Sequence, residues 1–276
     1  MNFATIELVA DGPRAWVWLS RPKKLNPLGY TTLLELRAAA RLLDETPDVK
    51  VVVFAGRGRA FSAGADLSGV AGGSGVTSGG SGTSASDAHE RAPSPREAAD
   101  AGRRMIEAVE AMRPVTIAQI HGHCIGGALL LAAACDLRVA SDDANFAIPE
   151  VDLGIPLAWG GIPRLVRDLG AAMTKELVLT CRSFGAEEAK ALGFLNRVVP
   201  ATDLEEEVND LADLLTTKSA LTLAATKEHV NAVANGMVGS GFSWNDADSL
   251  LSALSDPESR SVAAAYRQRL RARSKP

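Results

Sequence analysis

At 276 residues with 46% apolar side chains, the chain has enough hydrophobic surface for one large core and reads as a soluble globular protein. A net charge of -4 and a pI near 5.7 exclude a general basic field for nucleic acid or an anionic membrane, so an anionic ligand must find local basic groups. No run reaches 18 apolar residues, which argues against a membrane span, and the acidic start MNFATIELVADG lacks the features of a secretory signal. Cys124, Cys135 and Cys181 are odd in number and lack metal-ligand spacing, so they read as reduced thiols of a cytoplasmic protein with no metal site.

In chain order, short apolar runs at 6–9 and 15–19 predict two strands. Residues 31–45 place Leu33, Leu36, Ala40 and Leu43 on one helical face, with Thr31 or Thr32 as the expected N-cap and Pro47 beyond the end. A strand follows at 51–55. From 69 to 95 the composition turns to Gly, Ser, Thr and Ala, which predicts a flexible surface insertion or a mobile lid. Strands are expected again at 115–120 and 137–140, and helices at 204–215, 221–233 and 259–271. Strands alternating with helical patterns predict an α/β core over 1–200, with a helical region at 201–276 for core cover and subunit contacts.

Three segments carry chemistry. The first, VVVFAGRGRAFSAGADL (51–67), leads from a strand into Ala63, Gly64 and Ala65, small residues that let a ligand approach the backbone. Its GRGRAF stretch is like a dinucleotide fingerprint, but Phe61 replaces the third glycine and no helical pattern follows. The second, PVTIAQIHGHCIGGALLLAAACD (114–136), puts Gly126 and Gly127 at the start of an apolar helix, where free N–H groups favour developing negative charge. One backbone donor from each segment could form an oxyanion hole. In the third, ANFAIPEVDLGIPLAWGGIPR (144–164), Glu150 lies among Ile148, Val151, Leu153 and Ile155. Such a carboxylate suits a proton carrier near neutral pH, although a surface glutamate fits the pattern too. His121, His123 and Cys124 read as packing and hydrogen-bonding residues, since neighbours in an extended segment point to alternate sides. The sequence contains no serine-hydrolase elbow, phosphate loop or zinc-protease motif.

The segments AWVWLSRPKKLN (15–26), FSAGADL (61–67), HGHCIGG (121–127), the pair Pro149 and Glu150, and TCRSFGAEEAKALG (180–193) together resemble, in order, the crotonase family of enoyl-CoA hydratases and isomerases. The resemblance implies a spiral of β-β-α units with C-terminal helices, assembled as a homotrimer or a dimer of trimers. It implies an acyl-CoA substrate, with coenzyme A as part of that substrate and no separate cofactor. Ala65 and Gly127 would supply the oxyanion N–H groups and Glu150 the catalytic carboxylate. Lys24, Leu25, Ala63, Asp66 and Leu67, with Gly126 beside the thioester, would line the substrate path. Arg21, Lys23, Lys24, Arg57 and Arg59 could meet CoA phosphates or simply be solvated. Family hydratases carry a second glutamate where this chain has Leu130, so the resemblance favours Δ3-Δ2 enoyl-CoA isomerisation by one base. Dienoyl-CoA isomerases add an aspartate where this chain has Ala158, which disfavours that subgroup. A hydratase using a substitute acid remains an alternative; Asp152 would serve only if its segment were a strand. So does a non-catalytic acyl-CoA-binding protein. Trp159 falls where the acyl pocket of the family would be, as pocket lining or core packing.

Overall fold

The computed structural model describes residues 2–66 and 93–273. The strands β1 (Ile6–Asp11) and β2 (Arg14–Leu19) form an antiparallel hairpin across Gly12 and Pro13, with Gly12 at φ +56° supplying the positive φ that a tight Asp-Gly turn needs. Helix α1 (Tyr30–Asp44) returns the chain to β3 (Val51–Gly56). Helix α2 (Pro95–Glu110) leads to β4 (Val115–Ile120), β5 (His123–Ile125) and α3 (Gly127–Ala133). Then come β6 (Leu137–Ser141), β7 (Asn145–Ala147) and α4 (Gly161–Thr180), followed by β8 (Phe184–Gly185), α5 (Ala186–Ala191) and β9 (Arg197–Val199). Four helices close the chain: α6 (Leu204–Thr216), α7 (Ala220–Met237), α8 (Asp246–Ser255) and α9 (Pro257–Arg273).

Six strands form one sheet in the order β1-β2-β3-β4-β6-β9, parallel after the first hairpin, and β5-β7-β8 form a second sheet. Two successive turns of the spiral, β4-β5-α3 and β6-β7-α4, each give one strand to the large sheet, the next to the small one, and then a helix. Ser62 joins the same small layer through a parallel bridge to Cys124. This is the expected spiral of β-β-α units.

Strands β3 and β4 are buried along their whole length, as parallel strands covered on both faces must be. Alternate residues of β3 therefore enter different cores. Val52 and Phe54 pack with Leu33, Leu36, Ala40 and Leu43 of α1, while Val51 and Val53 pack with Leu204, Val208 and Leu211 of α6.

The apolar face expected for the first helix is the buried one, but its cap differs. Gly29 is the N-cap without a side-chain bond, and Thr31 and Thr32 lie inside the helix. The insertion expected at 69–95 lies outside the described residues up to 92; its last residues instead start α2. There Ser94 and Glu97 form a reciprocal capping box and Pro95 takes the first helical turn, where its missing N–H costs nothing. Among the described residues no helix is long and apolar enough to cross a membrane.

Candidate active site

Three segments from separate turns of the spiral converge at the N-terminus of α3. The first is a loop braced from the N-terminal side. Leu25 and Asn26 both have left-handed backbone conformations, with φ of 59° and 52°. Asn26 is buried, and its Nδ2 donates to the carbonyls of Arg57 and Ala60 at 2.9 Å and of Phe61 at 3.2 Å, while its Oδ1 accepts the Arg21 amide at 2.9 Å. Asparagine suits both demands, because it tolerates left-handed φ and offers donors and an acceptor together. The Ala63 amide donates to Leu25 O, Leu28 N to Gly64 O and Asp66 N to Leu28 O, so residues 62–66 run beside 25–28. Ala63 and Ala65 stay exposed along this edge, and Lys24 is exposed at its start.

The second segment is the junction of β5 and α3. Gly126 caps α3 at φ 54° and ψ -120°, a conformation that excludes side chains, and its amide donates to Ala147 O at 2.8 Å. Gly64 lies directly against it: a Cβ there would collide with Ile125 O and lie 3.6 Å from Gly127 N. The amides of Ala65 and Gly127 therefore belong to touching stretches of backbone, and neither has an acceptor among the described residues.

Glu150 comes from the turn after β7. Its Oε1 would lie 2.6 Å from a Cβ on Gly126, so the carboxylate rests on the Gly126 Cα. The Oε2 atom is shut off from solvent without a hydrogen-bond partner among the described residues. Burial pushes the carboxyl up to about 7, with its own backbone amide opposing weakly.

Leu130, one turn into α3, is buried against Gly161. Residues 150–154 form a turn, held by Leu153 N and Ile155 N on Glu150 O, so the strand alternation that would align Asp152 with Glu150 is absent. Asp152 instead faces Arg269 of α9 at 3.7 Å. Trp159 packs its indole against both Gly102 of α2 and Gly127; a Cβ on either glycine would collide with the ring.

Among the basic groups, Arg21 pairs with Asp66 at 3.2 Å and Arg57 pairs with Glu7 while lying over the Trp18 ring at 3.9 Å. Lys23, Lys24 and Arg59 have no carboxylate partner among the described residues. Leu67 lies outside the described residues. His121 Nε2 donates to Gly58 O at 2.9 Å, and burial pushes the Cys124 thiol well up, so this trio forms no nucleophile and base pair. Sequence reasoning misses Asn26 and Gly102 as organisers, and it reads Gly64 as room for a ligand without its packing on Ile125 O; the Leu-Asn-Pro turn is the local signal for the left-handed pair Leu25 and Asn26.

A family profile described as enoyl-CoA hydratase/isomerase matches residues 15–272. The chain is 34% identical over 82% of its length to 81% of the peroxisomal Delta(3,5)-Delta(2,4)-dienoyl-CoA isomerase of Arabidopsis thaliana. It is 32% identical over 84% of its length to 83% of the crotonyl-CoA hydratase of Syntrophomonas wolfei. Among solved structures, an enoyl-CoA hydratase of Bacillus anthracis matches with a TM-score of 0.73 and 31% identity, covering 85% of this chain and 84% of that one. An enoyl-CoA hydratase of Mycobacterium avium subsp. paratuberculosis shares the fold at a TM-score of 0.83 and 24% identity, over 96% of this chain and 99% of that one. The converging backbone amides, the buried glutamate and these relatives lead to one conclusion: the chain is an enzyme of the crotonase, or enoyl-CoA hydratase/isomerase, family.

Proposed function

We infer that this enzyme moves a double bond from the 3 to the 2 position of an enoyl-CoA thioester, with Glu150 as its one proton carrier. The observation that supports this most is the pairing of a single buried carboxylate with an apolar Leu130 where a second acid would stand. The thioester oxygen sits between the amides of Ala65 and Gly127. Glu150 removes a proton from C2, the electrons pass into the carbonyl to give an enolate, and the amides hold the oxyanion. As the carbonyl re-forms, the enolate pair becomes the C2–C3 double bond, the C3–C4 π bond breaks and its electrons take the proton from Glu150 at C4, and the carboxylate is regenerated. The pantetheine and adenine run along Lys24, Leu25, Ala63 and Asp66, past Gly126, with Lys23, Lys24 and Arg59, which have no carboxylate partner among the described residues, placed to meet phosphates.

Hydration is the second reading, favoured by the names of relatives such as the Syntrophomonas wolfei enzyme. It requires a second proton carrier, and the nearest carboxylate in sequence, Asp152, is engaged with Arg269. The dienoyl isomerisation named for the Arabidopsis relative would by family resemblance place an acid where Ala158 is buried here.

Three free thiols, two of them buried, fit a reducing compartment such as the cytoplasm. Purified enzyme given 3-hexenoyl-CoA and crotonyl-CoA in parallel tests the assignment through absorbance of the conjugated thioester. Conjugation gained from 3-hexenoyl-CoA and lost in Glu150→Gln supports isomerisation; conjugation lost only from crotonyl-CoA replaces it with hydration.

A further inference from the structure

The turn carrying Trp159 is strained and braced from outside. Trp159 and Gly160 are consecutive left-handed residues, at φ 59° and 69°. For an aromatic residue this conformation is costly, and it persists only where surrounding contacts over-determine it. Both backbone groups of Gly160 are held by side chains from the sequence beyond it. Asp246 Oδ2, at the start of α8, accepts the Gly160 amide at 2.7 Å, and Arg164 donates to Gly160 O at 2.9 Å. Arg164 is itself buried and paired with Glu110 of α2. Helix α8 is anchored in turn, because Ala247 and Leu250 pack on Ala99 of α2 and Arg96 pairs with Asp248.

We propose that Asp246 is a positioning residue that, through the Gly160 amide, fixes the Trp159 indole over Gly127 as a wall of the acyl pocket and so sets which acyl chains the enzyme accepts. The proposal rests on the oxyanion role of Gly127, since only then does the indole border the acyl group. The strain gives the brace a purpose: released, Trp159 relaxes toward ordinary φ and the ring leaves the two glycines whose missing Cβ atoms make room for it.

Asp246→Ala and Asp246→Asn in the full chain test this. Asparagine retains an oxygen acceptor, so it preserves the brace. In Asp246→Ala we expect faster hydrogen exchange at the Gly160 amide, a red shift of the Trp159 emission identified by difference from Trp159→Phe, and a change of roughly fivefold or more in the ratio of dissociation constants for butyryl-CoA and octanoyl-CoA. Free CoA should bind as before, and Asp246→Asn should restore all three. Asp246→Glu, which keeps the charge on a longer arm, is the second variant if alanine prevents folding, and the same changes are expected. An unchanged Gly160 exchange rate removes the brace; faster exchange with an unchanged ratio removes its role in selectivity. Because saturated thioesters are not turned over, absence of isomerase activity would overturn the proposed reaction without touching this result. Failure of the wild type to bind either thioester would overturn both.

Discussion

Glu150 carries opposing demands on stability and rate. Its carboxyl stands near 7 in the folded protein against 4.5 unperturbed, because burial penalises the anion. The base must be ionised to take a proton, so kcat/KM should rise with pH through about 7, and a flat profile between pH 6 and 8 would contradict the assignment. For stability the sign is reversed. Between the two values the folded state binds more protons than the unfolded one, so this group's contribution falls as pH rises from about 4.5 to about 7. Glu150→Gln should therefore abolish isomerisation, by a factor on the order of 100 to 10,000, while stabilising the fold at pH 8 by an amount on the order of 3 kcal/mol, measurable by denaturant titration. Loss of stability in that variant would mean that the carboxylate has a partner that favours its charge. Gly126→Ala tests the neighbouring position. Its Cβ would press on Glu150 Oε1 at 2.6 Å from a positive-φ backbone, so activity should fall at least tenfold with a stability loss of about 1 to 3 kcal/mol.

The loop of residues 62–66 owes its position to Asn26 more than to its own sequence. Removing that side chain orphans carbonyls at 57, 60 and 61 and the Arg21 amide, so Asn26→Ala should cost about 2 to 4 kcal/mol and weaken acyl-CoA binding, checked by thermal melts and titration calorimetry. Wild-type binding in a folded Asn26→Ala variant would show that the loop holds itself. This dependence explains what the sequence could reveal. Strands such as 51–56 and 115–120 are continuous apolar runs and are legible, as is the 3.6-residue pattern of α1. The strands β5, β7 and β8, of two or three residues, are too short to show any period, and they are the ones that build the layer beside the site. Helix α2 was legible in principle, since Ser94-Pro95-Arg96-Glu97 is a capping-box sequence, but its start was absorbed into the Gly/Ser stretch before it. The glycine pair and Glu150 were legible as chemistry. The contact between them, and the Trp159 turn held by α8, depend on tertiary packing that no local pattern encodes.

Across the whole molecule, the helices after residue 204 divide into two kinds. Helix α6 buries Leu204, Val208, Leu211 and Ala212 on the sheet, and α8 buries Ala247 and Leu250 on α2. Helix α7 buries none of its 18 residues, although Lys227 reaches Asp136 and Pro114 O from it. Val230, Val233 and Met237 share one face by i, i+3, i+7 spacing and are 61%, 54% and 79% exposed; Phe242 and Trp244, just beyond the helix, are 76% and 75% exposed. An apolar helix face that joins no core among the described residues gains little by folding alone, whereas a different surface of a second copy, meeting it head-to-tail as in a cyclic trimer, would cover it. We expect this face to lie at the contact between copies in the homotrimer or dimer of trimers that the family resemblance implies. Light scattering on the eluting wild-type protein should give three or six times the 28.9 kDa chain mass, and Val230→Glu with Met237→Glu should reduce it to one. Because those side chains touch no core, the double variant should keep its near-ultraviolet circular dichroism while its melting temperature loses any dependence on protein concentration. A wild type that elutes as a single chain at micromolar concentration would leave the exposed face to some other partner.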